Sequence, residues 1–308
     1  MSHLLIDCLL APARTGTLSP MDWESLVSQG QAAGLLGKLL ALLETSGQLE
    51  QVPPAPRRHL EWARAVSASQ GRAVRWEVDC LRRALADLDQ PFILLKGAAY
   101  VMAGLPAATG RLFGDVDILV ARGELAKAEA LLLRHGWAGT KMDAYDQRYY
   151  RDWMHEIPPL LHGERGTVVD VHHGLLPLTA RLRPDPERLR CAARPIPGED
   201  GLWVLSPTDM VLHAACHLFH EGEFHRGLRD LSDLDSLLRH FGLEPGFWSG
   251  LAPRARELNL ARPLHYALRY SQRLLATPVP PSVLRDTDAP PALLAPMMDC
   301  LFLSALQP

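Results

Sequence analysis

The segment LLKGAAYVMAGLPAATGRLFGDVDILV, Leu94–Val120, decides how the rest of the chain is read. Its composition is that of a protein interior. Yet it holds Lys96 beside Gly97, then Arg111, then Asp115 and Asp117 with one residue between them. The run "PFILL" that leads into it is short and continuously apolar, as in a strand buried on both faces. "GAAYVMAG" predicts a short helix closed by Gly104 and Pro106, and "GDVDILV" predicts a second strand. Side chains alternate across a strand, so Asp115 and Asp117 leave one face while Val116 and Ile118 leave the other. Two carboxylates on one face repel each other, and burying them without a partner is unfavourable. A hard divalent cation answers both problems, because Mg²⁺ takes carboxylate oxygens and keeps positions for water and phosphate oxygens. A third carboxylate on a neighbouring strand completes such a site, and Asp170 in "TVVDVHH" is a strand residue of that kind. Three carboxylates can hold two metals about 4 Å apart, which suits in-line displacement at phosphorus. The competing reading of an isolated DxD is a solvated strand end, and the apolar flanks argue against it.

Lys96 and Gly97 follow one strand and precede a helix. Free backbone N–H groups and the positive end of the helix dipole favour phosphate there. Gly97 permits close approach to the backbone, and Lys96 adds a positive charge. The same lysine can equally be a strand-end residue whose head reaches solvent. Arg111 either clamps a triphosphate or neutralises the aspartates as a structural ion pair.

Working outward, "GELAKAEALLLRHG" predicts a helix ended by Gly136. "WMHEIPPLL", the turn "HGERG" and "TVVDVHH" then read as a β-hairpin. This order of elements describes a small mixed sheet with helices, over about residues 89–178 of a core unit spanning 89–200. Residues 1–88 read as an N-terminal helical region. There "MDWESLVSQGQAAGLLGKLLALLETSG" has helical spacing up to Gly47, and "PPAPRR" reads as a linker. A long amphipathic helix follows, with Trp62, Val66, Ala73, Trp76, Val78, Leu81 and Leu85 as its apolar positions. Residues 201–308 read as a C-terminal helical domain. A short strand near Leu202–Leu205 leads to "SPTD", where Ser206 caps a helix and Pro207 takes its first position. The fold class is α+β: a small mixed β-sheet core flanked by N-terminal and C-terminal helical regions.

The 308 residues are 47% hydrophobic, enough for a substantial core and about two domains. The net charge of −3 lacks the basic excess of a protein that coats nucleic acid. Lysine occurs only at Lys38, Lys96, Lys127 and Lys141, which makes Lys96 conspicuous. Cys8, Cys80, Cys191, Cys216 and Cys300 are far apart and form no CxxC pair, a pattern of reduced thiols rather than a disulfide framework. "MSHLLIDCLLAPARTG" reads as a helix rather than a signal peptide, and no stretch approaches the roughly 18 to 20 apolar residues of a membrane span. A soluble cytoplasmic protein without a membrane partner is expected.

Taken together, "LLKGAAYVMAG…GRLFGDVDILV", a helix ending "HGW", "HEIPPLL…VVDVHHGLL" and "LSPTDMVLHAACHLFH…LRDLSDLDSLL" resemble the uncharacterised nucleotidyltransferase family of the DNA polymerase β-like superfamily. The likeness runs from about Phe92 to Leu238. It implies a small sheet with helices on one side and acidic residues on adjacent strands. Asp115 and Asp117 match the paired metal ligands, and Asp170 matches the third acidic position. Lys96 and Gly97 stand where the superfamily has a Gly-Ser phosphate-binding turn. That pair itself is absent here, and the gap to Asp115 is long. The implied activity is transfer of a nucleoside monophosphate from a nucleoside triphosphate, with ATP the expected donor, to an acceptor that is a small molecule, RNA or protein. Mg²⁺ or Mn²⁺ is the implied cofactor, Asp115, Asp117 and Asp170 the catalytic residues, and Lys96, Gly97 and Arg111 the nucleotide-binding ones. The alternative on the same fold is a catalytically inactive module that senses a nucleotide or docks a partner.

Further along, His213, His217 and His220 fall on one face of a predicted helix. They make either a metal site of a helical hydrolase or a polar face packed on the α/β unit. Alternation places His172, and not His173, on the face of Asp170, where it can orient a carboxylate; His155 has the same status on the partner strand. Asp230 and Asp233, with Arg226 and Arg229 nearby, read as intrahelical ion pairs.

Overall fold

The computed structural model describes residues 3–139, 143–222 and 224–307; Lys141 lies outside them. Helices α1 (Leu4–Leu10), α2 (Pro20–Ala32), α3 (Leu36–Thr45) and α4 (Pro54–Ala84) come first. The sheet strands follow as β1 (Ile93–Leu94), β2 (Asp115–Leu119), β3 (Trp137–Gly139), β4 (Leu160–His162), β5 (Val168–His172), β6 (Arg194–Pro195) and β7 (Trp203–Val204). Interleaved with them are α5 (Lys96–Met102), α6 (Leu125–Arg134), α7 (Ala144–Trp153) and α8 (Pro186–Ala192). The chain ends in α9 (Pro207–Cys216), α10 (Gly227–Phe241), α11 (Phe247–Glu257), α12 (Ala261–Leu275), α13 (Pro281–Arg285) and α14 (Ala295–Ala305). The strands form one mixed sheet in the order β3-β4-β5-β2-β1-β7-β6. The architecture is therefore α+β, as the sequence predicts.

The centre of the sheet is built as its residues dictate. β2 is antiparallel to β1 and parallel to β5, and Val116, Ile118, Leu119, Val169 and Val171 are buried within it. Leu95 still donates its N–H to Asp117 O at 3.0 Å, so Lys96 is the first residue beyond the ladder. Ser206 caps α9 through a bond from Asp209 N to its Oγ. No helix among the described residues is long and apolar enough to cross a membrane.

Several elements differ from the sequence reading, each for a physical reason. The helix expected to run to Gly47 is two helices, broken at Gly34, whose φ of +67° is a conformation that side-chain-bearing residues seldom adopt. "PPAPRR" is the start of α4 rather than a linker, with Pro54 at the first helical position, where a missing N–H has no acceptor to lose. The buried face of α4 carries Leu60, Ala63, Val74, Val78 and Leu81, while Trp62 and Trp76 are 65% and 61% exposed. The first hairpin arm is strand only over Leu160–His162. Trp153 ends α7, and Pro158 and Pro159 cannot donate to a ladder.

Two apolar clusters hold the molecule together. One runs from Val74 in α4 through the sheet to Leu306, and the other gathers α1–α4 and takes in Leu228 of α10. Lys38 of α3 strengthens that second junction, donating from Nζ to Ser232 O at 2.7 Å and Ser236 Oγ at 2.6 Å in α10. Beside it Gly37 and Gly110 meet backbone to backbone. A Cβ on Gly110 would lie 2.2 Å from the Gly37 carbonyl carbon, and Gly110 has φ +66°. This contact fixes the chain just before Arg111 and thus the approach to β2.

Candidate active site

A cleft of about 790 Å³ opens over β2 and β5, walled by the start of α5, the arm after α7, and α9–α10. Its size is that of a small-molecule site. Lys96, Gly97, Arg111, Asp115, Asp117 and Asp170 all line it. The register of the parallel pair brings the carboxylates together: Asp117 stands opposite Asp170, and Asp115 opposite Val168. Asp115 and Asp117 are two apart on β2, so all three carboxylates share one face.

Their environments differ sharply. Asp115 is exposed at the strand's start. Asp117 is 4% exposed, and its Oδ1 accepts from Lys96 Nζ at 2.9 Å and His172 Nε2 at 3.1 Å. Burial alone would raise its pKa; Lys96 and His172 outweigh burial and hold the carboxyl well below the usual carboxylate range. At Asp170 the lowering influence of His172 is small. Burial first, then the charges of Asp117, Glu156 and Asp115, push its pKa up to about 7. Its Oδ1 is buried without a hydrogen-bond partner among the described residues. His172 spans two carboxylates, with Nε2 toward Asp117 and Nδ1 3.2 Å from Glu156 Oε2. Burial opposes its protonation, but the bond to Asp117 prevails and raises its pKa.

The remaining nucleotide-side candidates have structural partners. Arg111 reaches across to α10, where Nε donates to Asp233 Oδ2 at 2.7 Å, with Asp233 buried and Arg111 largely so. Its guanidinium lies over the rings of Phe113 and Tyr100, with its carbon 5.2 and 5.8 Å from their centroids. Asp233 thus makes a pair between elements instead of the intrahelical pair expected. Gly97 makes room for this arrangement, since a Cβ there would lie 2.6 Å from Arg111 Nη1 and 2.9 Å from the Phe113 ring.

Residues 19–276 match a protein family described as uncharacterised nucleotidyltransferase. The chain belongs to this family. No curated protein matches it. Membership in the nucleotidyltransferase family supports a general nucleotidyl-transfer role with a nucleoside triphosphate as substrate, and the match takes in the whole sheet and cleft. Nucleotidyltransferases typically use a divalent metal, and the floor of the cleft offers oxygen donors suited to a hard cation, one of them, Asp170 Oδ1, buried without a hydrogen-bond partner among the described residues.

Elsewhere in this nucleotidyltransferase-family chain, His213 is buried in α9, whereas His217 and His220 line the cleft. Burial, then Lys96, lowers the pKa of His217 to about 3, and the same causes hold His213 well below its usual value. The three do not gather ligand atoms. Among the described residues, the one set of three that does so is His155, Glu156 and His172. Glu156 is the site residue that sequence reasoning missed. It lies outside the named strands and faces His172 through an isolated bridge, a contact that no periodicity announces.

Proposed function

We propose that the protein is a metal-dependent nucleotidyltransferase that moves a nucleoside monophosphate from a nucleoside triphosphate, ATP the expected donor, to an acceptor nucleophile. The observation that carries this reading is the register of β2 on β5, which sets Asp117 beside Asp170, with Asp115 on the same face of the cleft. Asp115, Asp117 and Asp170 would hold Mg²⁺ or Mn²⁺, which supplies charge neutralisation of the triphosphate and activation of the acceptor. Lys96 provides a fixed positive charge beside the carboxylates. Arg111, tied to Asp233, and Gly97, packed beneath it, shape the neighbouring wall. In the reaction a bond forms between the acceptor oxygen and the α-phosphorus as the bond from that phosphorus to the β-phosphate oxygen breaks, and pyrophosphate leaves. Asp170 takes the acceptor's proton. The acceptor is a small molecule, RNA or protein.

A second reading is favoured by one contact. Lys96 Nζ already neutralises Asp117 from within the protein, as expected of an inactive module that binds a nucleotide without turning it over. Incubation of the purified protein with Mg²⁺ or Mn²⁺, α-labelled nucleoside triphosphates and cell extract separates the two. Label transferred by the natural protein and not by Asp117→Asn or Asp170→Asn, with a loss of about 10²-fold or more, supports the transferase. Nucleotide binding without transfer supports the sensing module. Transfer undiminished in both variants rules out the assigned carboxylates.

A further inference from the structure

His155, Glu156 and His172 form a second constellation on the wall of the cleft. One ligand atom from each lies within 4.8 Å of the others. The arm that follows α7 brings them together: Ile157 N donates to Val171 O at 3.1 Å and His173 N to His155 O at 2.8 Å, pinning the arm antiparallel to β5.

Two features set this cluster apart from an ordinary polar network. His155 is 7% exposed, and its Nδ1 is buried without a hydrogen-bond partner among the described residues. Leaving such a nitrogen unmet costs about 1–3 kcal/mol, and neutral imidazole is a preferred ligand for divalent transition metals. His172 is also oriented as metal-bound histidines are. A carboxylate, Asp117, engages Nε2 and fixes the ring, while Nδ1 is turned to Glu156. The two imidazole rings lie 5.3 Å apart between centroids.

We propose that His155, Glu156 and His172 bind one divalent transition-metal ion, of the zinc, manganese or ferrous class, at a position separate from that proposed for a hard cation at Asp115, Asp117 and Asp170. Two imidazoles and one carboxylate leave further coordination positions open, and all three residues line the cleft, where a substrate oxygen or nitrogen can enter. Asp117 links the two positions, as a member of the carboxylate trio and as the partner that orients His172. The inference does not depend on nucleotidyl transfer taking place.

The test is titration of the chelator-treated full chain with Co²⁺ near neutral pH, read by visible absorption and by competition with Zn²⁺. The expected result is one equivalent showing the visible absorption of nitrogen-ligated Co²⁺, whatever binds at the carboxylates, with affinity for that equivalent reduced about tenfold or more in His155→Gln and in Glu156→Gln, and unchanged in Asp115→Asn. Thermal melts check that each variant folds, and the near-isosteric Glu156→Gln carries the test if His155→Gln does not. No Co²⁺ uptake by the natural protein, undiminished uptake in Glu156→Gln, or loss in Asp115→Asn alone would overturn the proposal. Mg²⁺-dependent binding of labelled ATP, followed separately, reports on the nucleotidyl-transfer reading, so either can fail without the other.

Discussion

At Lys96 the backbone and the charge point the same way. Its φ of 41° lies in the left-handed region, which a side-chain-bearing residue occupies at a cost of about 1–2 kcal/mol. Glycine would enter that region freely. The chain accepts the strain and gains a cation whose Nζ reaches Asp117, itself nearly sealed from water. Removing one member of a buried ion pair leaves the other uncompensated. Lys96→Met is therefore expected to destabilise the fold by about 3 kcal/mol, measured as a shift of the urea unfolding midpoint at unchanged m-value. Lys96→Gly relieves the strain but also loses the pair, so it should fall between Lys96→Met and the natural protein. Adding Asp117→Asn to Lys96→Met should recover part of the loss. If the double variant is the less stable by the sum of the single effects, the pair is not the source of Lys96's contribution.

The elements show what a sequence can disclose and what it cannot. β1, β2 and β5 were legible because a continuous apolar run or an alternating one leaves few alternatives, and the face shared by Asp115 and Asp117 follows from period two alone. β3 and β6 span Trp137–Gly139 and Arg194–Pro195, too short for any period to emerge. On α4 the expected Val78, Leu81 and Leu85 are buried, but Trp62, Ala73 and Trp76 are exposed, because apolar character alone does not fix burial; Leu60, Ala63, Val74, Val78 and Leu81 mark the buried stripe. Contacts between distant elements were the least legible. Arg111 and Asp233 are 122 residues apart, and nothing local says that the loop before β2 will lie against α10. Their side chains are 11% and 7% exposed, so water can only partly replace the pair. Arg111→Met and Asp233→Leu are each expected to cost about 3–5 kcal/mol, with the double variant much closer to the natural protein. Additive losses in a double-mutant cycle by chemical denaturation would show that the two side chains act separately. The cap of α9 is a smaller case: Ser206→Ala should lower stability by about 1 kcal/mol, and no change in the melting temperature would remove Ser206 from that role.

Over the whole molecule, the cleft makes stability depend on pH through groups that pull in opposite directions. His155 and His217 are lowered to about 3, by burial first and then by His172 and by Lys96 respectively, and burial holds His213 well below its usual value. An unfolded histidine takes up its proton near pH 6.5. Between there and about pH 3 the unfolded chain therefore binds more protons at these positions, so stability is lost as pH falls. Asp170 does the reverse. Its folded pKa of about 7 lies above the 3.8 of a free aspartate, so its contribution is present below 3.8 and lost as pH rises through 7. Burial also raises Glu156 and Asp230, which act with Asp170, and lowers His173, His220 and His265, which act with the other histidines; six histidines thus oppose three carboxylates, and the net expectation is a melting temperature that falls as pH is lowered from 6.5 to 4.5. Asp170→Asn removes its share of the opposing contribution and should steepen that fall, whereas His217→Gln should flatten it. Mg²⁺ bound at the carboxylates should act as Asp170→Asn does, because a metal ligand must give up its proton. Melting curves across this range, with and without Mg²⁺, decide the matter. A slope that Mg²⁺ steepens in the natural protein but not in Asp170→Asn ties the cation to Asp170; a slope that Mg²⁺ leaves unchanged in both would mean that Asp170 is not a ligand.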